Sequence, residues 1–195
     1  MVNPDTPSLV LASGSRYRAT LLQRLQLPFE ICAPDTDETP HVAETVAAMT
    51  RRLARDKAAA LRDRFPQAWI LGSDQSAACG DRILGKPGTL ERAREQLHSL
   101  SGQTVDFLTA VALARDGRLL EGLDVTTVKF RRLDAAEIDR YLAAEPALDC
   151  AGSFKCEGLG ITLFEEIDSR DPTGLVGLPL ILTSRLLREA GFSLP

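Results

Sequence analysis

Leu9-Val10-Leu11-Ala12-Ser13-Gly14-Ser15-Arg16-Tyr17-Arg18 opens with four apolar residues, stops at three small ones, and is followed by Leu21, Leu22 and Leu25 at helical spacing. The stretch reads as strand, small-residue loop and helix. Where a strand feeds a helix in this way, unsatisfied backbone N–H groups, two hydroxyls and two guanidinium groups converge on a small space, which suits a phosphate. The pattern matches neither the Walker loop nor the dinucleotide fingerprint, and it is equally the pattern of a serine N-cap beside solvated arginines.

Outward from this unit the chain keeps alternating. Residues 29–32 form a second short strand candidate, and residues 33–40 a polar loop bounded by Pro34 and Pro40. From about 42 to 65, Val46, Met49, Leu53, Ala60 and Leu61 mark a long amphipathic helix. Trp69-Ile70-Leu71-Gly72-Ser73-Asp74 reads as an apolar strand ending on a carboxylate, a position at which α/β proteins commonly display chemistry. After the turn Gly85-Lys86-Pro87-Gly88, a helix begins at Thr89 with Leu90, Ala93, Leu97 and Leu100 on one face.

Two long strand candidates, 104–114 and 119–130, are joined by Arg115-Asp116-Gly117-Arg118, whose Asp-Gly is a hairpin signal. Asp134 and Glu137 fit a capping box, residues 151–160 are glycine-rich, an apolar run continues to Phe164, and a last helix is expected over about 180–190. The hairpin makes the sheet mixed. The expected fold is therefore an elongated single α/β domain, a mixed twisted sheet flanked by helices.

A chain of 195 residues with 44% hydrophobic and 26% charged residues can bury one sizeable core. The net charge of -4 and the absence of any Lys/Arg block or of a basic stripe interleaved with aromatics argue against a nucleic-acid partner. No apolar run approaches the length of a spanning helix and the start resembles no secretory leader, so a cytoplasmic location without a membrane partner is expected. Cys32, Cys79, Cys150 and Cys156 with only two histidines give no zinc-site spacing, and they read as reduced, partly buried thiols.

Hydrolysis of a polyphosphate needs cations around the phosphates, carboxylates or a metal, and a group that orients or deprotonates water. Arg18, Lys57 and Lys86 supply the cations, and Glu38 and Asp74 the carboxylates, all in polar loops or at element ends. Each alone is more simply a solvated charge.

Their order along the chain adds a resemblance that runs from Leu9 to about Leu187. Leu-Ala-Ser-Gly-Ser-Arg-Tyr-Arg, Asp37-Glu38-Thr39, Asp56-Lys57-Ala58, Gly72-Ser73-Asp74 and Gly85-Lys86-Pro87 resemble, in sequence order, five motifs of the Maf family of nucleotide pyrophosphatases. Arg16 departs from the proline, and Tyr17 from the arginine, that many members carry. The resemblance implies one domain over residues 8–190, two lobes about a cleft, an N-terminal tail over 1–7, and a Maf or inosine triphosphate pyrophosphatase-like fold. It makes Asp74 the proton acceptor, with Glu38, Lys57 and Lys86 in catalytic roles and Ser13, Ser15 and Arg18 at the phosphates. It also implies a divalent cation, Mg²⁺ or Mn²⁺, on Asp74 and Glu38.

Tyr17, Gln75 and Glu157, with the run from Cys150 to Lys155, are similar to the branch acting on 7-methyl-GTP. A carboxylate and an aromatic face suit a methylated guanine because N7 methylation makes the ring cationic. The alternatives are dTTP, UTP or another non-standard nucleotide as substrate, or a nucleotide-binding regulator of cell division. The expected partner is thus a small-molecule nucleotide, with a homodimer also admitted.

Overall fold

A computed structural model describes residues 7–195; all but the last residue of the tail expected over 1–7 lies outside the described residues. Among the described residues seven strands and five α-helices follow one another as β1 (Leu9–Ala12), α1 (Arg16–Gln23), β2 (Glu30–Ile31), α2 (Val46–Ala59), β3 (Trp69–Cys79), β4 (Arg82–Leu84), α3 (Leu90–Leu100), β5 (Thr104–Arg115), β6 (Arg118–Phe130), α4 (Ala135–Ala144), β7 (Phe164–Ser169) and α5 (Leu180–Glu189). The strands are hydrogen-bonded in the order β2-β1-β3-β5-β6-β7, with β4 on β3. Pairing of β1 with β2 and β3 is parallel, whereas β3–β4 and β6–β7 are antiparallel, so the expected α/β architecture with a mixed sheet is the one observed.

The chain divides into two compact units. The first runs to Gln75 and adds Thr109–Asp124 and Asp171–Pro195; the second comprises Ser76–Leu108 and Val125–Arg170.

In the first unit β1 and the first half of β3 are buried on both faces, which is why β1 reads Leu-Val-Leu-Ala without polar alternation. Leu9, Leu11, Trp69, Leu71, Val111 and Leu113 pack with Leu21 and Leu22 of α1 and Leu186 and Leu187 of α5. The intervening residues Val10, Ala12, Ile70, Ala110 and Ala112 face Ala54 and Ala58 of α2. Small side chains on this second face bring α2 close. A Cβ added to Gly72 would drive into the Ala54 carbonyl oxygen and lie 2.7 Å from the Ala58 nitrogen. In the second unit Phe107, Phe130, Phe154 and Phe164 form a chain of edge-to-face contacts with centroids 4.7–5.6 Å apart. Buried Ala93 and Leu97 of α3, and Ile138 and Leu142 of α4, belong to the same unit.

Several expectations are corrected. The helix expected over 42–65 is confined to Val46–Ala59, because Thr45 caps its N-terminus by accepting from the Ala48 N–H and Val42 is fully exposed. The strand expected over 29–32 shortens to Glu30–Ile31. Leu90, expected on the buried face of α3, is 45% exposed. The strand expected to end on Asp74 continues to Cys79. What ends near Asp74 is its parallel neighbour, since the β1 register stops at Ala12 opposite Gly72 and β4 takes over from Ala77. The hairpin signal is borne out: Asp116 and Gly117 both have positive φ, 53° and 76°, as a two-residue type I′ turn requires. Among the described residues no helix is long and apolar enough to cross a membrane.

Candidate active site

Lys57 occupies the buried stripe of α2 with Thr50, Leu53 and Ala54, one turn or two apart, so its stem leaves the helix toward β3. Its ammonium nitrogen lies 2.6 Å from Asp74 Oδ1 and 2.6 Å from Glu38 Oε1. Lys57 and Asp74 are 7% and 6% exposed, whereas Glu38 reaches in from an exposed loop. A buried ammonium is tolerable only with such partners, and two carboxylates here converge on one cation.

Arg18 belongs to the same charge group. Burial lowers its pKa from the ordinary arginine value, while the carboxylates of Asp74 and then Glu38 act to raise it. Two cations and two anions therefore face one another inside the first unit.

Arg18 is held by the loops around it. The Ser15 hydroxyl caps α1 by accepting the Arg18 N–H at 3.4 Å, and Ser13 Oγ accepts from the Ser15 N–H at 3.1 Å and from Arg18 Nη1 at 3.4 Å. Arg18 Nε donates to the Gly177 carbonyl at 3.0 Å. Ser13, expected at the phosphates, is buried and Ser15 half-buried.

The segment from Asp171 to Gly177, which the sequence reading did not single out, packs against Arg18 through the Gly177 carbonyl. Buried Asp171 accepts from the Thr173 N–H and hydroxyl and, at 2.6 Å, from the Ile181 N–H, while Thr173 Oγ1 accepts the Leu180 N–H at 2.8 Å. Together these satisfy the first turn of α5, whose N-cap residue Pro179 offers no side-chain cap. The available signal was an Asp and a Thr two residues apart ahead of a Gly, Pro and apolar run, a capping pattern displaced from the helix it serves.

Gln75 meets this segment directly. Its amide nitrogen donates to the Gly174 carbonyl at 2.9 Å, with Thr109 Oγ1 at 3.0 Å and the Leu175 carbonyl at 3.2 Å also in reach. Expected to contact a base, Gln75 spends its donors on the protein and latches the loop that seats Arg18. Gln75→Leu removes these donors and leaves the buried Leu175 carbonyl without this bond, while the Gly174 carbonyl keeps the Thr109 hydroxyl at 3.1 Å; a stability loss of about 2 kcal/mol is expected in urea unfolding. A variant as stable as the parent would show that the latch is inert.

Tyr17 is half-buried, its hydroxyl accepts from Arg16 Nη2 at 3.0 Å, and the Arg16 guanidinium carbon lies 4.9 Å from the ring centroid. Arg16, in the family's proline position, thus covers the tyrosine face. Lys86 and Glu157 belong to the second unit, each exposed, Lys86 just after β4 and Glu157 in the glycine-rich stretch.

All four cysteines are free, with Cys32 buried and the others half-buried. Burial, reinforced by Asp149 and Glu157 respectively, pushes the Cys150 and Cys156 thiols up to about 12.

Asp74 and Glu38 offer two hard oxygen donors focused on one point, already occupied by a cation. Carboxylate oxygens of this kind are the donors that a Mg²⁺-type ion takes, but here they converge on the Lys57 ammonium. No cluster of three His, Cys, Asp or Glu side chains that could hold a metal ion is present among the described residues.

Comparison with known proteins identifies the family. A family model described as "Maf-like protein" matches residues 8–190. The chain is 58% identical to a 7-methyl-GTP pyrophosphatase of Xanthomonas axonopodis pv. citri, over 97% of this chain and 100% of that protein. Proteins of the same name from Nitrosococcus oceani (50%, covering 97% and 96%) and Pseudomonas aeruginosa (49%, covering 97% and 100%) are also similar. Among solved structures, the Staphylococcus aureus Ham1 protein is similar at 12% identity and a TM-score of 0.47, over 64% of this chain and 72% of that one. On the family match and the relatives spanning nearly its whole length, this chain belongs to the Maf family.

Proposed function

We propose that this chain hydrolyses 7-methyl-GTP to 7-methyl-GMP and pyrophosphate, acting in the cytoplasm to remove a modified nucleotide from the pool. The observation that carries it is the junction of Lys57 with Asp74 and Glu38 at 2.6 Å each, beside Arg18, in a chain whose relatives at 49–59% identity bear that name.

In this reading Asp74 takes a proton from water as the water oxygen bonds to the α-phosphorus and the bond to the bridging oxygen breaks, releasing pyrophosphate. Lys57 holds the carboxylate in place and Arg18, seated by Ser13 and Gly177, faces the phosphates, together with Ser13, Ser15 and Lys86. A divalent cation, Mg²⁺ or Mn²⁺, bound by Asp74 and Glu38 would neutralise phosphate charge.

The base assignments follow charge. Arg16 on the Tyr17 ring already uses the attraction that a cationic methylated purine would exploit, so the base replaces one cation by another on the same aromatic residue. Glu157 accepts from the guanine N1–H and exocyclic amine, an assignment taken from its motif. Gln75 contributes through the loop it latches.

Glu157→Gln is expected to lower kcat/KM for 7-methyl-GTP about tenfold to a hundredfold and for GTP by less, because both bases lose the charge-assisted bond but only the methylated one also loses the attraction of a cationic ring to a carboxylate. The check is pyrophosphate release across 7-methyl-GTP, GTP, dTTP, UTP and CTP with Mg²⁺ or Mn²⁺. Equal losses on all five would end the charge-matching argument, and a preferred pyrimidine in the parent would replace the substrate while keeping the phosphate chemistry.

A further inference from the structure

Within the second unit, Glu145 at the end of α4 is wrapped by the turn over residues 155–160. Its Oε2 accepts the Gly160 N–H at 3.1 Å and the Tyr141 hydroxyl at 3.3 Å, and the Tyr141 oxygen in turn accepts the Lys155 N–H at 3.1 Å. One carboxylate and one phenol thus tie down both ends of the turn that carries Glu157.

The glycines report how tight the wrapping is. A Cβ on Gly158 would drive into the Glu145 carboxylate, and one on Gly160 would drive into the Lys155 carbonyl oxygen and lie 2.9 Å from the Lys155 nitrogen. The glycine-rich composition of this stretch is therefore a consequence of close approach to Glu145 and of the turn folding back on itself. Tyr141 is 3% exposed, and burial raises its pKa above the ordinary phenol value, so it remains the proton donor of the Glu145 bond.

The anchors are rigid. Tyr141 and Glu145 are four residues apart, and the Glu145 N–H still bonds to the Tyr141 carbonyl at 2.8 Å, so the two side chains share the last turn of one helix. That helix is fixed at its other end by the capping box of Asp134 and Glu137.

We propose that Tyr141 and Glu145 are positioning residues for base selection, holding the 155–160 turn so that Glu157 is presented in one orientation. The inference rests on the assignment of Glu157 to the base. A carboxylate discriminates between a cationic and a neutral purine only if it is held at hydrogen-bond distance. A freed turn averages that distance and flattens the preference, with the phosphate chemistry of the first unit left intact.

The test is the ratio of kcat/KM for 7-methyl-GTP over GTP in Tyr141→Phe, Glu145→Ala, Glu145→Gln and Glu157→Gln, with melting temperature measured on each. Tyr141→Phe and Glu145→Ala are expected to lower the ratio at least fivefold while GTP turnover stays within twofold. Glu145→Gln, whose amide oxygen still accepts from Gly160, regains part of the preference. Combining Glu145→Ala with Glu157→Gln adds no further loss beyond Glu157→Gln alone.

A merely structural role would shift melting and both turnovers together without moving the ratio. An unchanged ratio in Tyr141→Phe and Glu145→Ala beside a lowered one in Glu157→Gln overturns the positioning role alone. An unchanged ratio in Glu157→Gln overturns the base assignment, and this inference with it. Should Glu145→Ala fail to fold, Tyr141→Phe, which loses one oxygen, decides the matter.

Discussion

Asp74→Asn is expected to give a folded protein that still binds 7-methyl-GTP but releases pyrophosphate about 10³-fold more slowly, the middle of the range for removing a general base. Asn keeps the shape and one acceptor oxygen of Asp at a position that is 6% exposed, so packing of β3 is preserved. Lys57 is not orphaned, since Glu38 remains 2.6 Å from its nitrogen. What disappears is the anionic oxygen that can accept a proton from water. Pyrophosphate release, calorimetric nucleotide binding and thermal melting, measured on the same preparation, separate these effects. Turnover within tenfold of the parent would remove Asp74 from the proton-accepting role, whereas lost binding would make it a ligand for metal or phosphate instead.

Gly72→Ala is expected to be the costliest single methyl group in the first unit. The added carbon would meet backbone atoms of Ala54 and Ala58 in α2, which cannot rotate away as a side-chain tip can. Relief requires α2 to move off the sheet, opening the Ala54 and Ala58 contact with Val10 and Ile70. A destabilisation of about 3 kcal/mol follows from overpacking of this kind. For a chain of this size that lowers Tm by about 6–12 °C. Because Lys57 rides on the same helix, one residue from Ala58, the displacement also withdraws the ammonium from Asp74, and activity should fall with stability. Gly85→Ala is the stability control, as a Cβ there meets nothing within 4 Å. If Gly72→Ala melts within 2 °C of the parent, α2 is not seated as tightly as Gly72 indicates.

Legibility in the sequence followed the range of the forces involved. The Asp116-Gly117 turn and the Asp134–Glu137 capping box were readable because the bonds and φ angles that define them lie within four residues. Strand β7, Phe-Glu-Glu-Ile-Asp-Ser, was not, since at the end of the strand order its side chains are mostly exposed and its charges erase any apolar signal. The continuation of β3 beyond Asp74 was hidden because its end, Ala77–Cys79, pairs with β4, a strand of only three residues.

By itself the sequence determined the α/β order of elements, the Asp116-Gly117 turn and the motifs that place the chain in its family, because residue type and local spacing carry that information. Only the tertiary structure decided which of these meet. Lys57 reaches Asp74 and Glu38 because Gly72 admits α2, Arg18 is seated by a carbonyl 159 residues away, Gln75 bonds to the Gly174 loop, and Glu145 gathers the turn bearing Glu157. Those are contacts between residues distant in the chain, fixed by close packing and by the need of every buried polar group for a partner, and neither constraint is written in the neighbourhood of any one residue.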